Sequence, residues 1–500
     1  MPVLDTPPAP DRALPPEAPR SPYLEGLLLL RDGLAAQAAE HLARMVALQP
    51  AHAGARVNLV RALLASGQPA AALVEADAAL GVAPDHAELY FARGTALNAL
   101  GQPDAARAAL ERAVAFGPSH APSWLNLGNA CADLNDFVLA EQYIRTALQC
   151  DRTLAEAYAS LGHVLTALGR LEEAVAACDA AIALRPNFAQ AHWNLAVAAL
   201  LAGDFTRGFG EYEWRKRHDR FRRDFIDLPG PVWQDGDPAG RTILVHAEQG
   251  LGDTIQFARY LPLIAARGHA VLACAPPLIP LLATLPDVTV VPKQSPLPRY
   301  DAWIDQMSLP RVFRTRPETI PAATGYLRAD PVRVAAWRDR LPRGSNWRIT
   351  VGLAWAGNPA HSNDQRRSLP YAALQPVLAM PGVRCINLQV GEAAKQAALP
   401  DLSPLLTDYA ETAALIANLD LLVTVDTSVA HVAGALGVPC WVMLPFAPDW
   451  RWMLGRNDSP WYAAVRLFRQ ERAGDWDAVV GRIAAALPQV AGASVHRPLR

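Results

Sequence analysis

The 500-residue sequence lacks long apolar runs, paired-cysteine motifs and any appreciable net charge, and each absence closes off a class of protein. No stretch approaches the ~18 consecutive apolar residues that cross a bilayer. Residues 27–30 form a short helix face, and the run at 279–285 is broken by Pro280, so any membrane contact is expected to be peripheral. A formal net charge of −2 argues against a polybasic nucleic-acid binder, and 51% hydrophobic residues argue against bulk disorder. The six cysteines, Cys131, Cys150, Cys178, Cys274, Cys385 and Cys440, have neither C-x-x-C nor histidine-linked spacing. That argues against a zinc site and a disulfide framework; they read as buried thiols in a reducing compartment, with the cytoplasm the expected location. A dinucleotide fingerprint is missing as well, because Gly250 and Gly252 have no third glycine and position 255 is Ile255. The N-terminus repeats prolines where a secretory signal needs a basic start and an apolar stretch, so residues 1–18 read as a disordered leader.

What the chain does contain is repetition. Its length exceeds the ~250–300 residues of one core, so at least two domains are expected. Glycines recur at Gly94, Gly128 and Gly162, with Ala196 in the next register position, where paired helices must pack closely. A second series, Gly33, Gly67, Gly101, Gly169 and Gly203, falls where the first helix of each pair ends and a left-handed residue is needed, and Asn135 fills the same slot. Small residues repeat at Ala38, Ala72, Ala106, Ala140 and Ala174, and again at Ala47, Ala79, Ala113, Ala147 and Ala181. Pro50, Pro84, Pro118 and Pro186 close the pairs, while Tyr90, Trp124 and Tyr158 are expected to be buried against neighbouring pairs. In period and phase, residues 19–222 resemble tetratricopeptide repeats, roughly six units. An alanine-rich bundle is the alternative, but it has no need of phased glycines. The last unit drifts and ends in the segment 209–215, whose aromatics and basic tail, Lys216, Arg217, Arg220, Arg222 and Arg223, read as a cap docking onto the next domain. The repeats offer either a groove for a peptide or acceptor, or a spacer or dimerisation element.

After a linker at 223–240 the pattern changes to short β-branched runs alternating with helices, an α/β signature. Strands are expected at 242–246, 271–275, 288–291 and 302–304, with a glycine loop at 248–253 and a helix at 254–266. A second unit follows, with strands at 347–355, 383–390, 421–425 and 439–444 and a helix at 428–436. The expected architecture is therefore an α solenoid followed by two Rossmann-like lobes, at 241–340 and 341–490, and a tail at 491–500. Ligands in such sheets sit beyond the carboxyl ends of the strands.

Three segments could carry chemistry. Asp426, Thr427, Ser428 and His431 join a strand to a helix whose first amides suit an anion such as a diphosphate. The bland alternative makes Asp426 an N-cap and His431 an interior histidine. Gly250, Gly252 and Asp253 follow the first strand; a carboxylate there faces the cleft or caps the helix. The polar loop at 356–368 holds Asn358, Arg366 and Arg367, and either guanidinium suits a phosphate, with a solvated loop as the alternative. Gln389 and Glu392 are candidates for nucleotide ribose or base contacts, or simply face solvent. A block containing Trp450, Arg451, Trp452, Trp461, Tyr462, Arg466, Phe468 and Arg469 reads as packing rather than as a base or phosphate contact.

The Asp-Thr-Ser segment with its Val-Ala-His-Val-Ala-Gly-Ala-Leu-Gly-Val-Pro continuation resembles the donor-binding segment of the ADP-heptose:lipopolysaccharide heptosyltransferases, glycosyltransferase family 9. Gly250-Leu251-Gly252-Asp253 resembles that family's N-lobe loop, and the likeness spans about residues 241–490. It implies the GT-B fold, metal-independent inverting transfer of a hexose or heptose, and Asp253 as general base. Arg366 and Arg367 stand where the family more often has a lysine. Repeats before a GT-B domain are also the layout of the O-linked N-acetylglucosamine transferases, an analogy only. The expectation is a glycosyltransferase with no cofactor beyond a nucleoside-diphosphate sugar as co-substrate, and with a protein or cell-surface glycan acceptor selected by the repeats. No nucleic-acid partner is expected. A noncatalytic scaffold with a degenerate GT-B domain is the alternative.

Overall fold

The computed structural model describes residues 21–234, 236–294, 296–321, 325–341, 347–361 and 363–494. The expected leader at 1–18, the end of the tail at 495–500 and Ser362 of the polar loop lie outside the described residues. Two compact units divide between Ser160 and Leu161. That division falls inside the helical repeats, whereas the change of secondary-structure period comes later, before residue 242.

In the first unit the chain forms antiparallel helix pairs: α1 (Pro22–Arg31) with α2 (Ala35–Leu48), α3 (Ala53–Ala65) with α4 (Pro69–Val82), α5 (Ala87–Ala99) with α6 (Pro103–Phe116), and α7 (Ala121–Asp133) with α8 (Phe137–Cys150). The helix α9 (Ala155–Ala167) spans the division, and α10 (Leu171–Leu184), α11 (Ala189–Ala202) and α12 (Phe205–Glu211) belong to the second unit. From α3 onward the first helices begin at Ala53, Ala87, Ala121, Ala155 and Ala189, the ~34-residue tetratricopeptide period.

The turn chemistry explains that regularity. Gly33, Gly67, Gly101, Asn135, Gly169 and Gly203 all have left-handed φ, between 65° and 89°. A residue in this conformation ends the first helix and reverses the chain without steric cost when it is glycine. The close-packing glycines do a different job: a Cβ on Gly128 would sit 2.6 Å from Ile144 Cγ1, and one on Gly94 would meet the Leu110 side chain. Val60 holds the same register position in α3, and Ala76 stands where Leu110 and Ile144 stand in later pairs; both are fully buried in one cluster. Bulk has changed sides while the pair's volume is kept.

Ala38, Ala72, Ala106, Ala140 and Ala174 are fully buried, as the spacing requires. In the second small-residue series Ala79, Ala113, Ala147 and Ala181 are buried, but Ala47 is exposed and Met45 holds that phase in the first pair. The proline carbonyls are also satisfied in phase, since Arg56 Nε donates to Pro50 O at 2.7 Å and Trp124 Nε1 to Pro118 O at 2.8 Å. The large aromatics pack differently from expectation. Tyr90 stacks on Phe116 at 5.7 Å and Trp124 leans on Tyr143 at 5.6 Å, each within its own pair and only half-buried. Of the cysteines, Cys150 is exposed and Cys385 partly so, which corrects the reading of all six as buried thiols.

The second unit contains two parallel sheets. The strands β1 (Thr242–His246), β2 (His269–Cys274), β3 (Val288–Pro292) and β4 (Ala302–Asp305) form a sheet of order β3-β2-β1-β4. The strands β5 (Ile349–Ala354), β6 (Val383–Asn387), β7 (Leu421–Val425), β8 (Cys440–Leu444) and β9 (Val465–Arg469) form the other, of order β6-β5-β7-β8-β9. The central strands are mainly apolar, broken only by Thr350 and Thr424; β5, β7 and β8 bury every residue. β9 and the helix Trp476–Ser494 escaped the sequence reading, because Arg466 and Arg469 interrupt the apolar run of β9. The helix expected at 254–266 starts earlier, as α13 (Leu251–Phe257), and changes to a 3-10 turn at Ala258–Tyr260 before Leu261–Ala265. Pro262 lacks the amide that would bond the Ala258 carbonyl and so prevents one continuous helix.

Leu200, Phe205, Phe209 and Tyr212 from the last helices share one apolar cluster with Ile243, Phe257, Ala430, Trp450 and Trp461. The last repeats and both sheets are therefore packed around a common core. Strand order reverses next to β1 in the first sheet and between β5 and β7 in the second, and the carboxyl ends of these strands are where ligands bind in open parallel sheets.

Gly128→Val is expected to destabilise the chain by about 1–3 kcal/mol through overpacking against Ile144. Gly101→Ala is expected to cost about 1 kcal/mol through its positive φ alone. Thermal unfolding of both variants checks this; equal, negligible shifts would contradict the close-packing assignment.

Candidate functional site

The carboxyl ends of β1, β5 and β7 open onto one cleft of about 750 Å³ in the second unit. Its walls include Gly250, Gly252 and Asp253 after β1, Asn358, Arg366 and Arg367 after β5, Gln389 after β6, and Asp426, Thr427, Ser428 and His431 after β7. The two motifs singled out in the sequence thus share one hollow. Helices α9 and α11 and the turn Asp219–Phe221 add His163, Trp193, Arg220 and Phe221 to the lining.

The loop after β1 is shaped from both ends. Gln249 is left-handed, at φ 64°, an unusual conformation for a residue with a side chain, and the Tyr212 hydroxyl donates to its Oε1 at 3.1 Å. Gly250 precedes α13 and donates its N–H to Asp253 Oδ2 at 2.9 Å; a Cβ at 250 would lie 2.9 Å from that same oxygen. Asp253 Oδ1 accepts from Arg451 Nη2. Asp253 therefore faces the cleft and caps its helix at the same time. Gly252 permits close helix approach, since a Cβ there would lie 2.8 Å from His431 Cδ2.

Arg451 is the residue that sequence reasoning left in the packing block. Its guanidinium is 8% exposed and binds Asp253, Asp449 Oδ1 at 2.8 Å and Gln256 Oε1 at 2.9 Å. It therefore ties the loop after β1 to the segment after β8. A charged residue between two tryptophans in Asp-Trp-Arg-Trp was the available signal, since Trp450 and Trp452 are both buried. Arg466 and Arg469 lie outside the cleft lining; Arg469 Nε donates to the Arg456 carbonyl at 2.8 Å.

On the opposite wall Arg367 Nη1 donates to the Asp426 carbonyl at 3.1 Å and its Nε to Asp364 Oδ1 at 3.2 Å. The guanidinium folds over Gly357, where a Cβ would collide with it. Asn358 accepts from the Ala360 amide at 3.0 Å and so holds the loop's turn. Thr427 is the N-cap of the helix Ser428–Leu436, whose first amides have no partner within the helix, and Ser428 Oγ accepts from the Tyr409 hydroxyl at 2.7 Å.

Three expected contacts take other forms. Gln389 is buried, with Oε1 accepting from the Trp355 and Ala356 amides at 2.9 Å and Nε2 donating to the Ala356 carbonyl at 3.0 Å, so its amide fixes the end of β5. Glu392 is not part of the cleft. It is exposed and paired with Lys395 at 2.6 Å, because Gly391, at φ 76°, turns the chain away. His431 is buried, 2.9 Å from the Tyr462 hydroxyl and stacked on Trp452. Burial, reinforced by Arg451, pushes its pKa down to about 3, so it is a neutral member of the cleft floor.

The carboxylates diverge. Burial, then the neighbouring charge of Asp449, pushes Asp426 up to about 6. Burial opposes ionisation of Asp449 too, but Arg451 outweighs it and holds Asp449 below the ordinary carboxylate value. Paired acids with separated pKa values are a common feature of reactive sites. Among the described residues, no group of three or more His, Cys, Asp or Glu side chains is arranged to hold a metal ion.

Behind the loop, Arg215 is fully buried and binds Glu248 Oε1 and Ser308 Oγ at 2.9 Å each, and Glu248 Oε1 also accepts the Met307 amide at 3.1 Å. The segment read as a cap docking onto the next domain thus supplies, through Arg215, a buried ion pair behind the loop after β1.

These features define a region of tetratricopeptide repeats in the N-terminal half, continued by an α/β region of two parallel sheets with a cleft at their strand ends. A TPR-repeat model matches residues 162–203, and a tetratricopeptide-repeat model matches 57–121 and 91–155. Protein FlbA of Caulobacter vibrioides is 28% identical over 429 residues, covering 72% of this chain and 71% of that protein. That span is longer than the repeats, so the likeness extends into the α/β region. Among solved structures, a thermophilic TPR protein of Thermus thermophilus is 25% identical over 36% of this chain and 97% of its own, with a TM-score of 0.32. The APC/C Cut9–Hcn1 hetero-tetramer matches at 17% identity and a TM-score of 0.37, covering 39% of each chain, so this protein spans well under half of that one. Among the described residues, no helix is long and apolar enough to cross a membrane.

The raised pKa of Asp426 has a stability signature. Between its ordinary value of 3.8 and about 6 the native state keeps a proton that the unfolded chain has released, so stability falls as pH rises through that window. Asp426→Asn is expected to gain about 1–3 kcal/mol relative to the parent protein between pH 4 and pH 8. Urea unfolding at both pH values measures the gain; an unchanged difference would contradict the assignment.

Proposed function

We propose that the chain is an inverting, metal-independent glycosyltransferase of GT-B type, similar to glycosyltransferase family 9, that moves a hexose or heptose from a nucleoside-diphosphate donor to a protein or glycan acceptor. The observation that carries this reading is that Gly250–Asp253 and Asp426–Ser428, two segments about 175 residues apart and each following a parallel strand, line one cleft. In this reading the diphosphate lies at the first amides of the helix Ser428–Leu436, with Thr427 and Ser428 hydroxyls and Arg366 beside it. Arg367 is the residue that holds the turn.

The acceptor oxygen attacks the sugar C1 from the Asp253 side. Its proton passes to the Asp253 carboxylate as the new C–O bond forms. The bond from C1 to the diphosphate oxygen breaks, and the nucleoside diphosphate leaves with the electron pair. Attack from the face opposite the leaving group inverts C1. Donors fixed in advance near the leaving group stabilise its growing charge without reorganisation. The repeats would hold the acceptor, as their groove-forming architecture suits a peptide or glycan chain.

One observation favours a second reading, a noncatalytic scaffold. Both oxygens of Asp253 are already engaged, by the Gly250 amide and by Arg451, as a purely structural cap would be.

The readings separate experimentally. Under the enzyme reading one nucleoside diphosphate of a panel raises thermal stability, by ~2.7 kcal/mol at a hundredfold excess over its Kd. With the sugar donor of that nucleotide, Asp253→Asn lowers kcat/KM by ~10²–10⁴ while leaving nucleotide binding intact. A panel without any shift, or an Asp253→Asn variant with full turnover, favours the scaffold.

A further inference from the structure

The proposed chemistry leaves one wall of the cleft without a task. Ala167 on α9 and Leu201 on α11 line that wall one repeat period apart, so the same face of successive first helices is turned to the cleft. Trp193 lies two turns before Leu201 on that face and also lines the cleft, as does Phe221 of the turn Asp219–Phe221. In the earlier repeats the register position of Trp193 holds Val57, Phe91, Leu125 and Ala159. An indole enters the series in the last repeat, where that helix borders the cleft.

The indole is fixed from several sides. The Tyr212 ring lies 5.0 Å from it, the Phe221 ring 4.6 Å, and His218 meets it edge-on at 6.1 Å. Phe205, Phe209 and Tyr212 are almost wholly buried, as core packing requires, whereas Trp193 and Phe221 stay partly open. Large rings held open in a cleft by their neighbours form a platform for the apolar face of a ligand. Two neutral polar groups line the same cleft. Gln249 accepts the Tyr212 hydroxyl at Oε1, while its Nε2 has no hydrogen-bond partner among the described residues. Thr166 donates its hydroxyl to the Gly162 carbonyl at 2.8 Å, which leaves its oxygen able to accept.

Resting on the glycosyltransferase reading, we propose that Trp193 and Phe221 form the acceptor subsite and that its occupant is a sugar ring, so the acceptor is a glycan. A pyranose presents an apolar face of C–H groups, which packs on an indole, and a rim of hydroxyls that both donate and accept. Gln249 and Thr166 supply the matching donor and acceptor. The location also fits the transfer. Tyr212 joins Trp193 to Gln249, which stands just before the loop that carries Asp253, whereas the amides assigned to the diphosphate open from β7. The platform is therefore tied to the side of the cleft that holds the base, where the attacking hydroxyl must lie. The last repeat then supplies part of the acceptor site itself.

Saturation-transfer NMR titrations of the full chain with the methyl glycosides of glucose, galactose, mannose and N-acetylglucosamine test this, with ADP, GDP, UDP and CDP titrated in parallel. The variants are Trp193→Ala, Phe221→Ala and the control Trp347→Ala, an exposed indole outside the cleft lining. The expected result is that at least one glycoside binds the unmodified chain and that its affinity falls by ~tenfold or more in Trp193→Ala, and by about threefold or more in Phe221→Ala, through loss of ring contact. The control keeps its affinity within about twofold, as a residue away from the contact should. The Kd of the tightest nucleotide stays within about twofold in every variant, which also shows that each is folded. Should Trp193→Ala lose both kinds of ligand, Phe221→Ala decides. Unchanged glycoside affinity in both cleft variants, or no glycoside bound by a chain that binds a nucleotide, would overturn the sugar subsite and leave the glycosyltransferase reading standing with a peptide acceptor. Nucleotide affinity lost in Phe221→Ala with glycosides unaffected would overturn it too, by assigning the rings to the donor base. Failure of the unmodified chain to bind any nucleotide would overturn the reading on which the proposal rests.

Discussion

The cleft depends on one buried cation. Arg451 draws together Asp253, which follows β1 of the first sheet, and Asp449, which follows β8 of the second, while its Nε donates to Gln256. An arginine with so little exposure is tolerated only because its charge is matched and each of its three nitrogens donates a hydrogen bond. Without it two carboxylates would face each other in a partly desolvated space. Replacing either side by a neutral group strands the other, which is why the pairing fixes the separation of the strand ends. Arg259 braces the same junction from behind, donating to the Trp461 carbonyl at 2.7 Å and lying over the Tyr462 ring.

Around that brace the last helices act as part of the site rather than as an appendage. Phe205, Phe209 and Tyr212 belong to the core of the sheets, Arg215 is buried against Glu248, and Tyr212 holds the strained Gln249. Holding a left-handed non-glycine residue costs about 1–3 kcal/mol, which surrounding contacts must offset. The strain falls one residue before the loop that carries Asp253, where a fixed loop geometry matters to the proposed chemistry.

Much of this was legible in the sequence where the physics is local. The left-handed slots at Gly33, Gly67, Gly101, Asn135, Gly169 and Gly203 follow from turn chemistry, and the strand-to-helix junction at Asp426 follows from an apolar run ending in a polar turn. Contacts between distant segments were not legible. Nothing near Arg451 in the chain announces Asp253, which lies 198 positions away. Gln389 and Glu392 looked equivalent after one strand, yet one is consumed by backbone amides and the other is turned outward by Gly391. β9 was hidden because arginines on an edge strand imitate a loop.

The most direct measurement is a crystal structure of the full chain with a bound nucleoside diphosphate. The account predicts the diphosphate within hydrogen-bonding reach of the Thr427 and Ser428 hydroxyls and the first amides of their helix, with Asp253 across the remaining space. A nucleotide bound outside this cleft, or a diphosphate pointing away from that helix, would contradict it.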